Sequence, residues 1–171
     1  MKTKQIALDA MLAAMCAVLG AAATINIGTF MKISLVSLPV LIGGIVFGAV
    51  DGALIGGVGT FIYQLVAYGL EWSTVLWLLP YIAAGLIAGL MSKKWGYNPN
   101  QKQMILINIV VAIAITLVNT LSLIIYYQVL KIDKAILFTS LPSKILTAVI
   151  RAVLFAFIIP PLAKAIKKVV R

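Results

Sequence analysis

Apolar runs long enough to cross a bilayer recur along nearly the whole of this chain, and no other feature limits its fold so tightly. A membrane helix needs about 17–25 mostly apolar residues. Runs of this kind lie at 6–24, 34–50, 52–69, 75–91, 104–129 and 140–160. They predict an all-α integral membrane protein, a bundle of six transmembrane helices forming one domain over 1–171. Of the 171 residues, 63% are hydrophobic and 11% charged, whereas soluble domains are about 45–50% apolar. A water-soluble fold has too little interior to hide that surface, so the bilayer is the solvent.

The connections carry turn formers and charge. The stretch 26–32, from Asn26 through Gly28 to Lys32, leaves the membrane after the first run. A tight turn at 48–52 holds Asp51, and Glu71, Trp72, Ser73 and Thr74 make a short loop. Residues 92–100, with two lysines, Gly96 and Pro99, form a surface loop, and 131–134 another. Pro160-Pro161 is expected to stop the sixth helix before a basic tail. The first run follows Lys2 and Lys4 in the manner of a signal peptide, yet it is long enough to span and is read as a retained helix.

Charge sets the orientation. Lysine and arginine together number 14 against 4 acidic residues, for a net charge of +10. In so apolar a chain this excess flanks membrane spans on the cytoplasmic side rather than meeting nucleic acid. One side collects Lys2, Lys4, Lys93, Lys94, Lys102, Lys164, Lys167, Lys168 and Arg171, and the other only Lys32, Lys131 and Lys134. Both termini are therefore expected in the cytoplasm. With no histidine and Cys16 as the single cysteine, neither an internal disulfide nor a Cys/His metal site can form. Asp9 and Asp51 lie near the cytoplasmic side, with nothing in the sequence to make them converge. The chain offers poor material for an enzyme.

Ionisable and amide side chains inside a span are costly and tend to face a bundle interior or a watery cavity. Ser140, Lys144, Thr147 and Arg151 fall on one face of the sixth helix. Asn108, Ala112, Ile115, Asn119, Ser122 and Tyr126 do so on the fifth, and Trp77 and Tyr81 on the fourth, where Pro80 frees a backbone carbonyl. These faces are richest in polar groups in their outer halves. They predict a solute pocket opening outward, with Trp77, Tyr81 and Tyr126 as stacking surfaces and Lys144 or Arg151 meeting an anionic or carbonyl group. The candidate binding residues are Asn26, Tyr68, Glu71, Trp72, Trp77, Tyr81, Asn119, Ser122, Tyr126, Lys144, Thr147 and Arg151. Alternatives stand beside several of them. Tyr68, Trp72 and Tyr127 suit an interfacial aromatic belt equally well, and Lys144 has a stem long enough to reach the outer surface. Arg151 suits a structural cluster with Asn119, Asn108 or backbone carbonyls, and Glu71 suits a solvated loop.

Small residues repeat at four-residue spacing: Ala10 with Ala14, Ala13 with Ala17, Gly48 with Gly52, Gly52 with Gly56, and Gly85 with Gly89. Such spacing lets helix backbones approach closely, either within the bundle or against a partner helix docked on Ala10, Ala14 and Ala17. Gly56-Gly57-Val58-Gly59-Thr60 lacks the Gly-Lys-Ser/Thr ending of a phosphate loop and implies no nucleotide.

Together these residues resemble the substrate-binding S components of energy-coupling factor (ECF) transporters. The likeness rests on size, the alanine face Ala10, Ala14 and Ala17, and the run 37–53, an apolar Gly-rich segment ending in Phe47-Gly48 before a small-residue third helix. The resemblance implies a multi-pass protein of the bacterial cell membrane that captures a vitamin on its outer side through helices four to six. It implies docking of Ala10, Ala14 and Ala17 on a membrane scaffold protein, and uptake powered by two ATPase subunits, with no cofactor on this chain. Pantothenate, a pyridoxine or hydroxymethylpyrimidine-like ring, folate and cobalamin all remain open as the substrate. The competing class is a stand-alone ion-coupled or passive transporter, with Arg151 and Asp51 as gating charges.

Overall fold

In a computed structural model, residues 3–27, 31–131 and 135–170 are described. They form α1 (Thr3–Ala22), β1 (Thr24–Ile27), β2 (Met31–Ser34), α2 (Ser37–Val46), α3 (Ala49–Tyr68), α4 (Thr74–Lys93), α5 (Gln101–Val129) and α6 (Ala135–Val170). The architecture is helical, as the apolar runs require. Among the described residues, α1, α3, α4, α5 and the Pro142–Lys168 part of α6 are long and apolar enough to cross a membrane. Their lipid-facing sides carry bare apolar side chains such as Val18, Val58, Leu117 and Val153, which only a hydrocarbon solvent accommodates.

The run 34–50 does not become one long helix. Its helical part, α2, has 10 residues and so rises about 15 Å, half of a bilayer core. Every residue from Ser37 to Ile45 is buried. The run is apolar because protein surrounds it on all sides, and a helix apolar all round is a buried helix. Its end is built by backbone chemistry: the N–H groups of Phe47 and Gly48 both donate to the Gly43 carbonyl, at 2.8 and 3.3 Å. Gly48 then turns at φ 126°, a conformation that glycine adopts without strain. Ser92 of α4 donates to the Ile45 carbonyl at 2.8 Å, satisfying an acceptor that the last turn of a helix leaves open.

Two further elements depart from expectation. Part of the polar stretch 26–32 pairs in an antiparallel hairpin whose register sets Thr24 opposite Ser34 and Ile25 opposite Ile33. The β-branched Thr24, Ile25, Ile27 and Ile33 suit such strands. Pro160-Pro161 does not stop α6, which continues to Val170. The two prolines deprive the Ala156 and Phe157 carbonyls of their usual donors, but Ile159, Pro160 and Ala163 are buried, and their packing carries the helix through.

The small residues divide by role. A methyl placed on Gly85 would collide with the Gly52 backbone, one on Gly89 with Ala49, and one on Gly56 with the Tyr81 carbonyl. These glycines lock α3 to α4 at backbone contact. On α1, Ala13 and the buried Cys16 pack against Gly59 of α3, and the Cys16 thiol donates to the Val36 carbonyl at 3.3 Å. Ala10 and Ala14 are exposed and Ala17 is half-buried.

At the lysine-rich end, Asp51 in the first turn of α3 is buried and accepts from the Gln5 amide at 2.9 Å. Asp9 lies within electrostatic reach of it. The two acids, 42 positions apart in the chain, thus approach each other.

Candidate ligand-binding cavity

The opposite end collects the C-terminal halves of α3 and α5, the N-terminal halves of α4 and α6, and the end of β2. There the helices enclose a cavity of about 650 Å³, within the usual range of about 300–1,000 Å³ for small-molecule sites. Trp77, Pro80 and Tyr81 of α4 form one wall. Ile115, Thr116, Asn119, Leu123, Tyr126 and Tyr127 come from α5, and Lys144, Thr147, Ala148 and Arg151 from α6. Tyr63, Gln64 and Tyr68 of α3 complete the lining with Ser34, Glu71, Ser73 and Thr74.

A proline makes this wall, and a serine repairs it. Pro80 has no N–H to give the Leu76 carbonyl four residues earlier. Ser122 of α5 donates to that carbonyl at 2.9 Å. Ser122 is therefore turned toward the α4 backbone and is not among the cavity-lining residues. Asn108 is likewise engaged elsewhere, its amide donating to the Ala152 carbonyl of α6 at 2.7 Å.

The aromatic side chains are organised around Tyr126. Trp72 stacks on it with centroids 5.7 Å apart and planes 12° apart. Trp77 lies at 5.8 Å and 52°, and Tyr127 at 6.0 Å and 52°. Trp72 itself is 53% exposed and lies outside the lining. On the α3 side, Tyr63 and Tyr68 meet edge to face at 6.0 Å, with their hydroxyls 3.4 Å apart.

The loop before α4 is cross-tied. The Glu71 N–H donates to the Thr74 hydroxyl at 3.2 Å, the Thr74 N–H to the Glu71 carbonyl at 3.1 Å, and the Ser73 hydroxyl to the Glu71 carboxylate at 3.1 Å. The carboxylate thus sits at the positive end of the α4 dipole. To the same cavity α6 contributes Lys144, Thr147 and Arg151. The Thr147 hydroxyl donates back to the Ser143 carbonyl at 2.7 Å, leaving its lone pairs for a ligand donor. Arg151 is within electrostatic reach of Tyr81. The Lys144 ammonium is buried and, among the described residues, has no hydrogen-bond partner.

Tyr68, Glu71, Trp77, Tyr81, Asn119, Tyr126, Lys144, Thr147 and Arg151 are thus brought together around one void. The Asn26 side chain lies outside the described residues. Sequence reasoning missed Tyr63 and Gln64, whose signal was present: Gln64 is an amide inside an apolar span, one turn before Tyr68 on the same helix face. It also missed Ser34, Ser73, Thr74 and Thr116. Among the described residues, no three His, Cys, Asp or Glu side chains converge as a metal site.

The fold is shared with a known structure. A crystal structure described as FolT bound with folic acid superposes with a TM-score of 0.71 over 94% of this chain and 97% of that one, at 22% sequence identity. No curated protein matches the sequence. The model of the family described as "ECF transporter, substrate-specific component" matches residues 4–163, nearly the whole length. This multi-pass membrane protein belongs to the family of substrate-specific components of ECF transporters.

Proposed function

We propose that this protein captures a water-soluble vitamin or related micronutrient from outside a bacterial cell and presents it for ATP-driven uptake by partner subunits. The observation that carries the proposal is the placement of the cavity. It opens at the end of the bundle away from Lys93, Lys94, Lys102 and Lys164, and lysine-rich loops stay in the cytoplasm. Both termini are then inside and the cavity faces out. Pantothenate, a pyridoxine or hydroxymethylpyrimidine-like ring, folate and cobalamin are the candidate ligands. Folate gains support from the folic acid bound in the structurally similar FolT. The exposed Ala10 and Ala14, with Ala17, offer a smooth helix face for a membrane scaffold protein that carries the ATPases. The chain itself acts by binding, without catalysis.

The test is to purify the protein from bacteria grown in rich medium and identify the small molecules released on denaturation by mass spectrometry. A stoichiometric vitamin in the wild type, depleted in Trp77→Ala and Arg151→Ala, is the expected result. Uptake into liposomes by this chain alone, without nucleotide or partners, would replace the proposal with a stand-alone transporter.

A further inference from the structure

The cavity's charges do not balance. Lys144 and Arg151 enter it from α6, and Glu71 is the acidic residue of the lining. Glu71 is occupied by the Ser73 hydroxyl at 3.1 Å in the loop before α4. Arg151 has the Tyr81 side chain within electrostatic reach. Lys144 differs from both, because its ammonium is buried and has no hydrogen-bond partner among the described residues. An ammonium has three donors and no acceptor, and in a site shielded from water each unmade bond is costly. A membrane protein places such a group at depth when something else completes it.

The aromatic wall says what the rest of that partner is. Trp77, Tyr81 and Tyr126 line the void together with Lys144, so a flat ring can lie on their faces while a substituent reaches the ammonium. Lys144 and Arg151 are seven residues apart on one helix, about 10.5 Å along its axis. A ring held between them meets a cation at each end, of which the Lys144 end is unclaimed.

Resting on the vitamin-capture reading above, we infer that Lys144 selects the ligand: the substrate is a ring-bearing organic anion whose carboxylate or phosphate completes the Lys144 ammonium. A neutral analogue of the same ring leaves that ammonium buried and bare, and is rejected. Charge-assisted hydrogen bonds of this kind favour the anion by about tenfold or more.

The experiment measures binding by calorimetry and thermal shift on protein freed of endogenous ligand, with probes paired by ring and differing in charge. The pairs are nicotinate with nicotinamide, 4-aminobenzoate with 4-aminobenzamide, and pyridoxal 5′-phosphate with pyridoxal, together with folate. The molecule released from untreated protein is identified in parallel. The expected results are an acidic released molecule and an acid bound about tenfold or more tighter than its neutral partner. That preference should fall to within about threefold in Lys144→Met and persist in Lys144→Arg. The carboxylate and phosphate pairs tell the two anions apart. A neutral ligand bound equally well, or an acid preference that survives Lys144→Met, overturns the anion rule while leaving vitamin capture standing. If nothing is released and no probe binds, acid or neutral, the vitamin-capture reading itself falls and takes this inference with it.

Discussion

The α3–α4 contact and the α4–α6 cavity share one helix and use opposite chemistry. On its glycine side, α4 meets α3 so closely that a methyl on Gly85 has no space. On its other side it carries Trp77 and Tyr81 and stands away from α6 around a void of about 650 Å³. The first contact is rigid because backbone touches backbone, and the second is open, with aromatic side chains lining a void instead of filling it. A protein that binds by enclosing a solute needs both, since the cavity keeps its shape only if one wall cannot move.

The largest effect is therefore expected on the closed side. Gly85→Leu inserts a branched side chain where even a Cβ collides with Gly52, and overpacked cores fail when backbone is the obstacle. No monodisperse protein should be recovered from membranes by size-exclusion chromatography. Recovery of a stable Gly85→Leu protein that still binds ligand would break the comparison, because α3 and α4 would then be free to part.

On the open side, Trp77→Ala should leave the fold intact and weaken ligand binding by roughly 5- to 150-fold, the loss of one aromatic stacking face at about 1–3 kcal/mol. Calorimetry with the co-purified ligand reads the binding, and circular dichroism and the thermal midpoint of the unliganded protein read the fold. A large drop in that midpoint would mean that Trp77 builds the wall rather than contacting the ligand.

Between these extremes lies Ser122, which repairs the carbonyl that Pro80 frees. Ser122→Ala leaves the Leu76 carbonyl without its donor, at a cost of about 1–2 kcal/mol. In a Pro80→Ala background the restored N–H of residue 80 takes over that carbonyl, so the same substitution should cost much less. A double-mutant cycle read by thermal unfolding checks this coupling. Equal costs in both backgrounds would mean that the proline and the serine act separately.

This pair shows what the sequence discloses and what it withholds. Helical spacing put Asn119, Tyr126, Lys144, Thr147 and Arg151 on inward faces, because a polar group in lipid has nowhere else to go. The same rule put Ser122 in the pocket. It cannot tell a side chain that faces a void from one that faces a backbone carbonyl on the next helix, since both lie on the inner face. The run 34–50 misled for a related reason: apolar sequence reports burial, and α2 is buried in protein instead of lipid. Pro160-Pro161 failed as a stop because tertiary packing at Ile159 and Ala163 overrides a local rule. Gln64 carries the same signal as Asn119, an amide inside an apolar span, on a helix whose glycines otherwise mark close packing.

The smallest effect distinguishes two adjacent glycines of α3. At Gly56 a methyl would run into the Tyr81 backbone, whereas at Gly57 it would meet the Ile82 side chain at 3.4 Å, an ordinary contact. Alanine in place of glycine inside a helix gains about 0.5–1 kcal/mol from lost backbone freedom in the unfolded chain. Gly57→Ala should thus raise the thermal midpoint slightly and leave ligand affinity unchanged, while Gly56→Ala lowers the midpoint. The two residues share a helix, a neighbourhood and a propensity gain, so only the distance to α4 separates them. If both substitutions proved equally harmless, α3 and α4 would be able to slide apart by the width of a methyl, and the rigidity assigned to the closed wall would have to come from α2 instead.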